Sequence, residues 1–513
     1  MRIGSNIEAT ESELSSLGVN IKTLTEDLTL PNPKYKDLMR FGKGRRFYGK
    51  VDPYICYLRK IDSLYIVPRY YIKDFTFYKS EMVLGRMIES TCHIRLRDYQ
   101  EQFIHDNEEA INSKDGLLIE APCGHGKTIM GIWLSYVHRV QTLVLVPTYY
   151  LAKQWSQKIK ECTDASTVIL RSSDTEIPID KDFTIIVMDL FSCRTLPREL
   201  IQNIGHVILD EAHRVGAETY LPILDEIPAK YRTALTATFR RTDGVHRILR
   251  YHFGEHIQMK NRFPRPLVYG IRTNVKVRGV ISKNKRYENF LSFMEDNKIP
   301  YHETKNVIEF SCEGLRDLIE RKYKAGSITK TAYTEIVSCF RRGSEMSYSV
   351  VDSYLNEHSG RRKTTIRVIQ ECLDAGRTLL FLSKRKDTLK SLHKYFSRYK
   401  PMLIISETNE RSDEEEAYLQ STCPLIFGVT QLAKEGLDID RLDTLIIHLP
   451  MKDTEQAVGR ISRLCESKKF PVCLYLLDDS PITYAVYNNA KKFFRINADF
   501  KGERTLRTIK TVL

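Results

Sequence analysis

The stretch Leu117-Leu118-Ile119-Glu120-Ala121-Pro122-Cys123-Gly124-His125-Gly126-Lys127-Thr128-Ile129 decides how this chain is read. The apolar run Leu117 to Ile119 predicts a strand buried on both faces, and the apolar positions from Ile129 to His138 predict a helix. Between them lies a glycine-bearing loop. Without Cβ atoms, successive backbone N–H groups can close around phosphate oxygens at a helix start. Lys127 adds a charge for β- and γ-phosphates, and the Thr128 hydroxyl is a ligand for Mg²⁺. Pro122, Cys123, Gly124, His125, Gly126, Lys127 and Thr128 are thus the expected phosphate cradle. Ala121 stands where the general pattern has its first glycine, so the strand-loop-helix context carries the reading. Cys123 is read as packing or neutral variation, not a redox centre.

Outward from this loop the same grammar repeats. Thr142 to Val146, Thr184 to Met188 and His206 to Leu209 are short β-rich apolar runs separated by helical stretches. That alternation implies a parallel sheet covered by helices. It returns in Thr378 to Leu382, Pro401 to Ile405, Leu425 to Val429 and Thr444 to His448. Two α/β domains in tandem are therefore expected, over 95–274 and 363–513. The intervening 275–362 carries helical stretches, Glu313 to Lys324 and Lys330 to Arg342, with few strand signals, and is read as a mostly helical insertion.

The chain's 513 residues are enough for several hydrophobic cores, and 42% hydrophobic with 28% charged residues excludes a disordered, collagen-like or membrane-embedded protein. The net charge of +14 favours a polyanionic partner. Eleven cysteines without a Cys-x-x-Cys pair read as reduced thiols and give no zinc framework. Met1 to Thr10 lacks the apolar core of a signal peptide, so a cytoplasmic location is expected, in a host cytoplasm if the source is viral.

Residues 1–94 form a further unit, an N-terminal accessory domain. From Pro31 to Lys73, eleven basic residues face three acidic ones, interleaved with nine Tyr and Phe. Cations neutralise phosphates and rings offer stacking faces, so this segment is a candidate nucleic-acid grip, with Lys43, Arg45 and Arg46 at its centre. The bland alternative is a small β-rich domain whose aromatics are core.

Hydrolysis needs a second metal-binding carboxylate and a group that activates water. Asp210-Glu211-Ala212-His213 follows the strand His206 to Leu209, which places Asp210 near Mg²⁺ and Glu211 beside the attacking water.

Lys127-Thr128, Asp210-Glu211-Ala212-His213, Thr236-Ala237-Thr238 and Gln456-Ala457-Val458-Gly459-Arg460-Ile461-Ser462-Arg463 resemble, in order and spacing, motifs I, II, III and VI of superfamily 2 DExH (DEAH-box) helicases. The likeness runs from about Arg95 to Leu477. Leu235 to Gly244 resembles the XPB-like group, which includes phage branch-migration helicases, XPB proteins and poxvirus-type transcript-release helicases. Two departures stand out. The Ser406-Glu407-Thr408 loop lacks a glycine found in relatives, and the insertion is longer than the group's minimal connection.

The resemblance implies two RecA-like motor domains, ATP and Mg²⁺ as cofactors, and roles for individual residues. Arg97 and Gln100 would lie near adenine. Gly436 and Asp438 would reach the nucleotide from the second domain. Arg460 and Arg463, after Gln456, would meet the γ-phosphate, where positive charge stabilises phosphoryl transfer. His213, Thr236 and Thr238 would couple the nucleotide to the nucleic-acid face, and Pro147, Thr148 and Thr430 would touch nucleic acid. The activity implied is an ATP-driven DNA helicase or translocase acting as a monomer on double-stranded or branched DNA, with branch migration and fork regression first. Transcript release or RNA-directed remodeling, and an ATP-gated clamp, are the alternatives. Glu211, Arg460 and Arg463 together favour catalysis over gating.

Overall fold

The computed structural model divides the chain into two units, Met1–Arg262 and Phe263–Leu513. It describes all residues except 33–34, 36–50, 73–77, 123, 172–173, 175, 189–194, 213–216, 238, 240–243, 261–263, 278, 283–287, 304–306, 311–314, 345–347, 406–411, 431–438, 452–453, 464, 466–467 and 512.

Each unit is built on a seven-stranded parallel sheet. In the first unit the strands lie in the order Thr167–Leu170, Phe183–Val187, Thr142–Val146, His206–Leu209, Tyr231–Thr236, Gly116–Glu120, Glu255–Gln258. In the second the order is Met402–Ile404, Leu425–Val429, Leu379–Ser383, Thr444–Ile447, Val472–Asp479, Leu267–Lys276, Asp499–Thr505. Numbered along each unit, both sheets read third, fourth, second, fifth, sixth, first, seventh. The architecture is one α/β topology used twice. Its central strands are buried along their length, as the continuous apolar runs Thr142–Val146, His206–Leu209, Leu379–Ser383 and Thr444–Ile447 require when helices cover both faces.

One expectation is corrected. The strand Leu267–Lys276 begins within the 95–274 segment drawn from the pattern, yet it pairs with Val472–Asp479 and Asp499–Thr505 in the second sheet. It is the first strand of the second unit, so the change of sheet precedes the change of composition. The segment after it is mostly helical, as expected, and adds a small sheet. Gly279–Ser282, Val307–Phe310 and Tyr301–Glu303 form a three-stranded antiparallel sheet. Phe290, Phe293, Met294, Ile308, Phe310 and Ile319 give that segment a core of its own. By the repeated topology, this insertion grows from the place where the glycine loop sits in the first unit.

The N-terminal segment is fused to the first unit. It shares a core with the helices Ala217–Glu226 and Val245–Phe253, through Ile3 and Ile7 of its five-stranded sheet, Leu24 of the helix Ile21–Asp27 and Leu30 of the strand Thr29–Pro31, against Ile223, Leu224, Val245 and Ile248. Arg69, 3% exposed, donates to the carbonyls of Ala229 at 2.7 Å and Lys230 at 3.1 Å. Residues 83–93 then run as a strap along the amino edge of the sheet, exchanging backbone hydrogen bonds with Pro228, Lys230, Asn203, Gln141, Arg139 and Cys162. Among the described residues no helix is long and apolar enough to cross a membrane.

Candidate nucleotide site and nucleic-acid face

In a parallel sheet the loops after the strands share one edge, and ligands bind there. In the first unit that edge collects Ala121 to Gly126 after Glu120, Pro147 and Thr148 after Val146, Asp210 and Glu211 after Leu209, and Ala237 after Thr236. The sequence motifs thus share one edge because their strands share one direction.

Gly124 and Gly126 have φ of 81° and 77°, a left-handed backbone that side chains rarely adopt. Gly126 caps the helix Lys127–His138, aiming the loop's N–H groups at the helix start. A Cβ on Gly126 would lie 2.5 Å from Gln100 Nε2. Gln100 is buried, and its Nε2 donates to His125 O at 3.2 Å while its Oε1 accepts the Arg97 N–H at 3.0 Å. In this structure the Gln100 amide holds the loop. The Lys127 ammonium, 9% exposed, donates to Ala121 O at 3.4 Å, inside the curl of the loop.

Asp210 is 3% exposed. Burial, and next the neighbouring Glu211, push its carboxyl up to about 6, against the Trp155 hydrogen bond and the Lys127 charge, which lower it. The Lys127 effect puts the ammonium near the two carboxylates. Glu211 itself has φ of 50°, a left-handed non-glycine backbone that costs on the order of 1 kcal/mol and is typical of functional sites. The residues fit Mg²⁺. Asp210 and Thr128 offer the oxygen donors that a hard cation takes, and a divalent charge would relieve the crowding of Asp210 against Glu211.

One link was not read from the sequence. Glu120, the last residue of the strand entering the loop, accepts Phe239 N–H at 3.1 Å and lies 3.0 Å from His256 Nε2, while the Phe239 and His256 rings stack at 4.2 Å. Ala121 N donates to Thr236 O at 2.9 Å. The glycine loop is thus tied directly to the Thr236 segment. The sole signal for it in sequence is a carboxylate at a buried strand's end.

On the same edge Thr148 caps the helix Tyr149–Cys162, its hydroxyl accepting Leu151 N–H at 3.3 Å. Lys153 and Arg171 lie over the Tyr149 ring at 5.3 and 5.1 Å, a cationic surface beside Pro147 and Thr148.

In the second unit Arg460 lies in the helix Thr454–Ile461 and Arg463 just after it, each 8% exposed, and Arg463 Nη1 pairs with Asp440 at 3.4 Å. Thr430 N donates to Ser383 O at 3.1 Å. His448, directly after Thr444–Ile447, occupies the position that Asp210 holds after His206–Leu209 in the first unit. A buried network fills this place. Arg361 Nε donates to Asp478 at 2.8 and 2.9 Å and Nη1 meets His448 Nε2 at 2.5 Å. Thr273 Oγ1 donates to Asp478 at 2.5 Å, and Ser383 Oγ lies 3.1 Å from His448 Nδ1. Burial, then Arg361, hold His448 well below the ordinary imidazole range.

Cys123, His213, Thr238, Gly436, Asp438, Lys43, Arg45 and Arg46 lie outside the described residues, and Gln456 is described only in its helical backbone.

Residues 93–241, which span the glycine loop, Asp210, Glu211 and Thr236, match the family described as type III restriction enzyme, res subunit. This stretch resembles a superfamily 2 helicase domain. Its homologues are XPB-like, viral and phage helicases. A putative ATP-dependent RNA helicase of Acanthamoeba polyphaga mimivirus is 22% identical over 388 residues, 75% of this chain and 64% of that protein. A DNA 3'-5' translocase of Sulfurisphaera tokodaii is 24% identical over 298 residues, 51% of this chain and 64% of that protein. A putative helicase of Invertebrate iridescent virus 6 is 23% identical over 413 residues, 78% of this chain and 80% of that protein. The chain therefore spans just under two thirds of the first two of these relatives. The matched stretch lies wholly within the first unit, and the second unit repeats its sheet order.

Proposed function

We propose that this helicase domain and the second unit form an ATP-driven DNA translocase that remodels branched DNA by branch migration or fork regression. The observation that supports it best is the assembly of the glycine loop, Lys127, Asp210 and Glu211 on one sheet edge. The loop's N–H groups and Lys127 would hold the phosphates, and Asp210 with Thr128 would hold Mg²⁺, which would supply neutralising charge to the phosphates. Glu211 orients the attacking water and accepts its proton. Arg460 and Arg463 supply positive charge to the γ-phosphate in the transition state. The Glu120 tie carries the nucleotide state from the loop to the Thr236 segment.

Motor domains follow a phosphate backbone and do not recognise a junction, so substrate choice falls to the basic, aromatic Pro31 to Lys73 segment. Neutralising Lys43, Arg45 and Arg46 together lowers the log–log salt slope of junction binding by about one per lost phosphate contact, with basal ATPase retained. An unchanged slope would leave the segment a structural cap. The deciding assay for the reaction is ATP-dependent migration of a synthetic four-way junction by the purified monomeric protein. ATP hydrolysis without junction movement would remove the branch-migration reading.

The second reading, an RNA-directed or transcript-release helicase, is favoured by the mimivirus relative, a putative ATP-dependent RNA helicase. Displacement of RNA but not of junction arms would establish it.

A further inference from the structure

The helix Tyr149–Cys162 carries Trp155, 1% exposed, whose indole Nε1 donates to Asp210 Oδ2 at 2.7 Å. Asp210 Oδ1 accepts the Glu211 N–H at 2.8 Å. Each carboxylate oxygen is thus held by one N–H, which fixes the carboxylate plane and leaves further lone pairs for a ligand.

Room for this ring is made on a third element. Gly131 lies inside the helix Lys127–His138, where glycine is unfavourable relative to alanine. A Cβ at 131 would stand 2.7 Å from Trp155 Cη2 and 3.1 Å from Leu235 Cδ1. The indole is a rigid plate between Gly131 and Asp210. A methyl group at one end displaces the N–H at the other. Three elements therefore meet at one side chain: the helix that starts at the glycine loop, the helix that starts at Thr148, and the strand that ends at Asp210.

We propose that Trp155 is a positioning residue for the metal-binding carboxylate: its indole N–H, admitted by the missing side chain of Gly131, holds Asp210 in the orientation that takes Mg²⁺. This inference rests on the reading of Asp210 as the Mg²⁺ ligand. Partners that orient a metal ligand typically contribute 10- to 100-fold in metal affinity. The geometry also makes Trp155 a reporter, because the chain has two tryptophans, Trp133 and Trp155.

The test uses full-length protein and fluorescent ADP titrated with Mg²⁺. Trp155→Phe keeps the ring and removes the N–H. It raises the Mg²⁺ concentration for half-maximal nucleotide binding on the order of 10-fold, with nucleotide binding in EDTA unchanged. Gly131→Ala gives the same shift in the wild-type background and no further shift in Trp155→Phe, whose smaller ring no longer reaches residue 131. In the Trp133→Phe protein, Trp155 emission changes on adding Mg²⁺ with ADP. A purely structural Trp155 would lower the unfolding temperature without moving the Mg²⁺ midpoint, and an unmoved midpoint in both Trp155→Phe and Gly131→Ala overturns the proposal. Should either variant misfold, the emission response of Trp155 decides, and its absence overturns the proposal equally. Failure of the wild-type protein to bind nucleotide in a Mg²⁺-dependent way is a different result. It would remove the ATPase reading itself, and this inference with it.

Discussion

Arg361→Met is the perturbation whose size is set most directly by the structure. The Arg361 side chain is 1% exposed and that of Asp478 is 0% exposed. Removing the guanidinium takes both Nε contacts from the carboxylate and leaves the Thr273 hydroxyl as its remaining donor among the described residues. It also leaves His448 Nε2 and O without the two Nη groups that now face them. Stripping one partner from a fully buried pair costs about 3–5 kcal/mol, whereas replacing both by apolar groups is often neutral. With a urea m-value at the upper end of the usual range for a unit of this size, about 3 kcal/mol/M, the second unit's midpoint should fall by roughly 1–2 M. Trp133 and Trp155 both lie in the first unit, so tryptophan emission should keep its midpoint while far-UV circular dichroism acquires an earlier transition. Arg361→Met combined with Asp478→Leu should recover most of the loss. A single transition at the wild-type midpoint in Arg361→Met would refute the reasoning, as would a double variant no more stable than the single one.

Lys127→Ala should abolish ATP turnover and weaken nucleotide binding, while Glu211→Gln should abolish turnover and keep binding of fluorescent ADP, because the phosphate cradle is intact; turnover near wild type in Glu211→Gln would remove the water-activating role. Arg463→Ala should cut ATPase by a factor on the order of 10³ with nucleotide-free DNA affinity retained; lost DNA binding with normal hydrolysis would instead put Arg463 on the nucleic-acid face. Burial, then Lys230, pull His138 down to about 4, with its ring stacked on Tyr231 at 3.8 Å. Between pH 6.5 and 4 the unfolded chain takes the proton that folded His138 refuses. Stability is therefore full above 6.5 and falls as pH drops, by on the order of 3 kcal/mol at the lower end. His138→Gln should flatten the pH dependence of urea midpoints in that window, and an unchanged slope would count against a neutral His138. His206 and His252 are shifted the same way and leave a residual slope.

The central strands were legible because a strand buried on both faces must be an unbroken apolar run, as Thr142–Val146 and Thr444–Ile447 are. The glycine loop was legible because its φ requirements admit almost no residue but glycine. Leu267–Lys276 was assigned to the wrong half because a strand's sequence reports its burial and not its partner. The insertion's strands, three or four residues each, are too short to show a period of two against the helices around them. Contacts distant along the chain were not legible at all. Trp155 and Asp210 are 55 residues apart, and Arg361 and Asp478 are 117 apart. Neither pair carries a local pattern: in each, a side chain on a covering helix meets a carboxylate at or next to the end of a strand.

The central claim is that the edge carrying Gly126, Lys127, Asp210 and Glu211 is the nucleotide site of a motor driven by nucleic acid. Steady-state ATP hydrolysis by the full-length protein, measured alone and with equal nucleotide concentrations of four-way junction, linear duplex, single-stranded DNA and RNA, tests it most directly. The account predicts low basal turnover, strong stimulation by DNA with the junction highest, and loss of all stimulated turnover in Glu211→Gln. Turnover that ignores every nucleic acid, or that survives in Glu211→Gln, would contradict it.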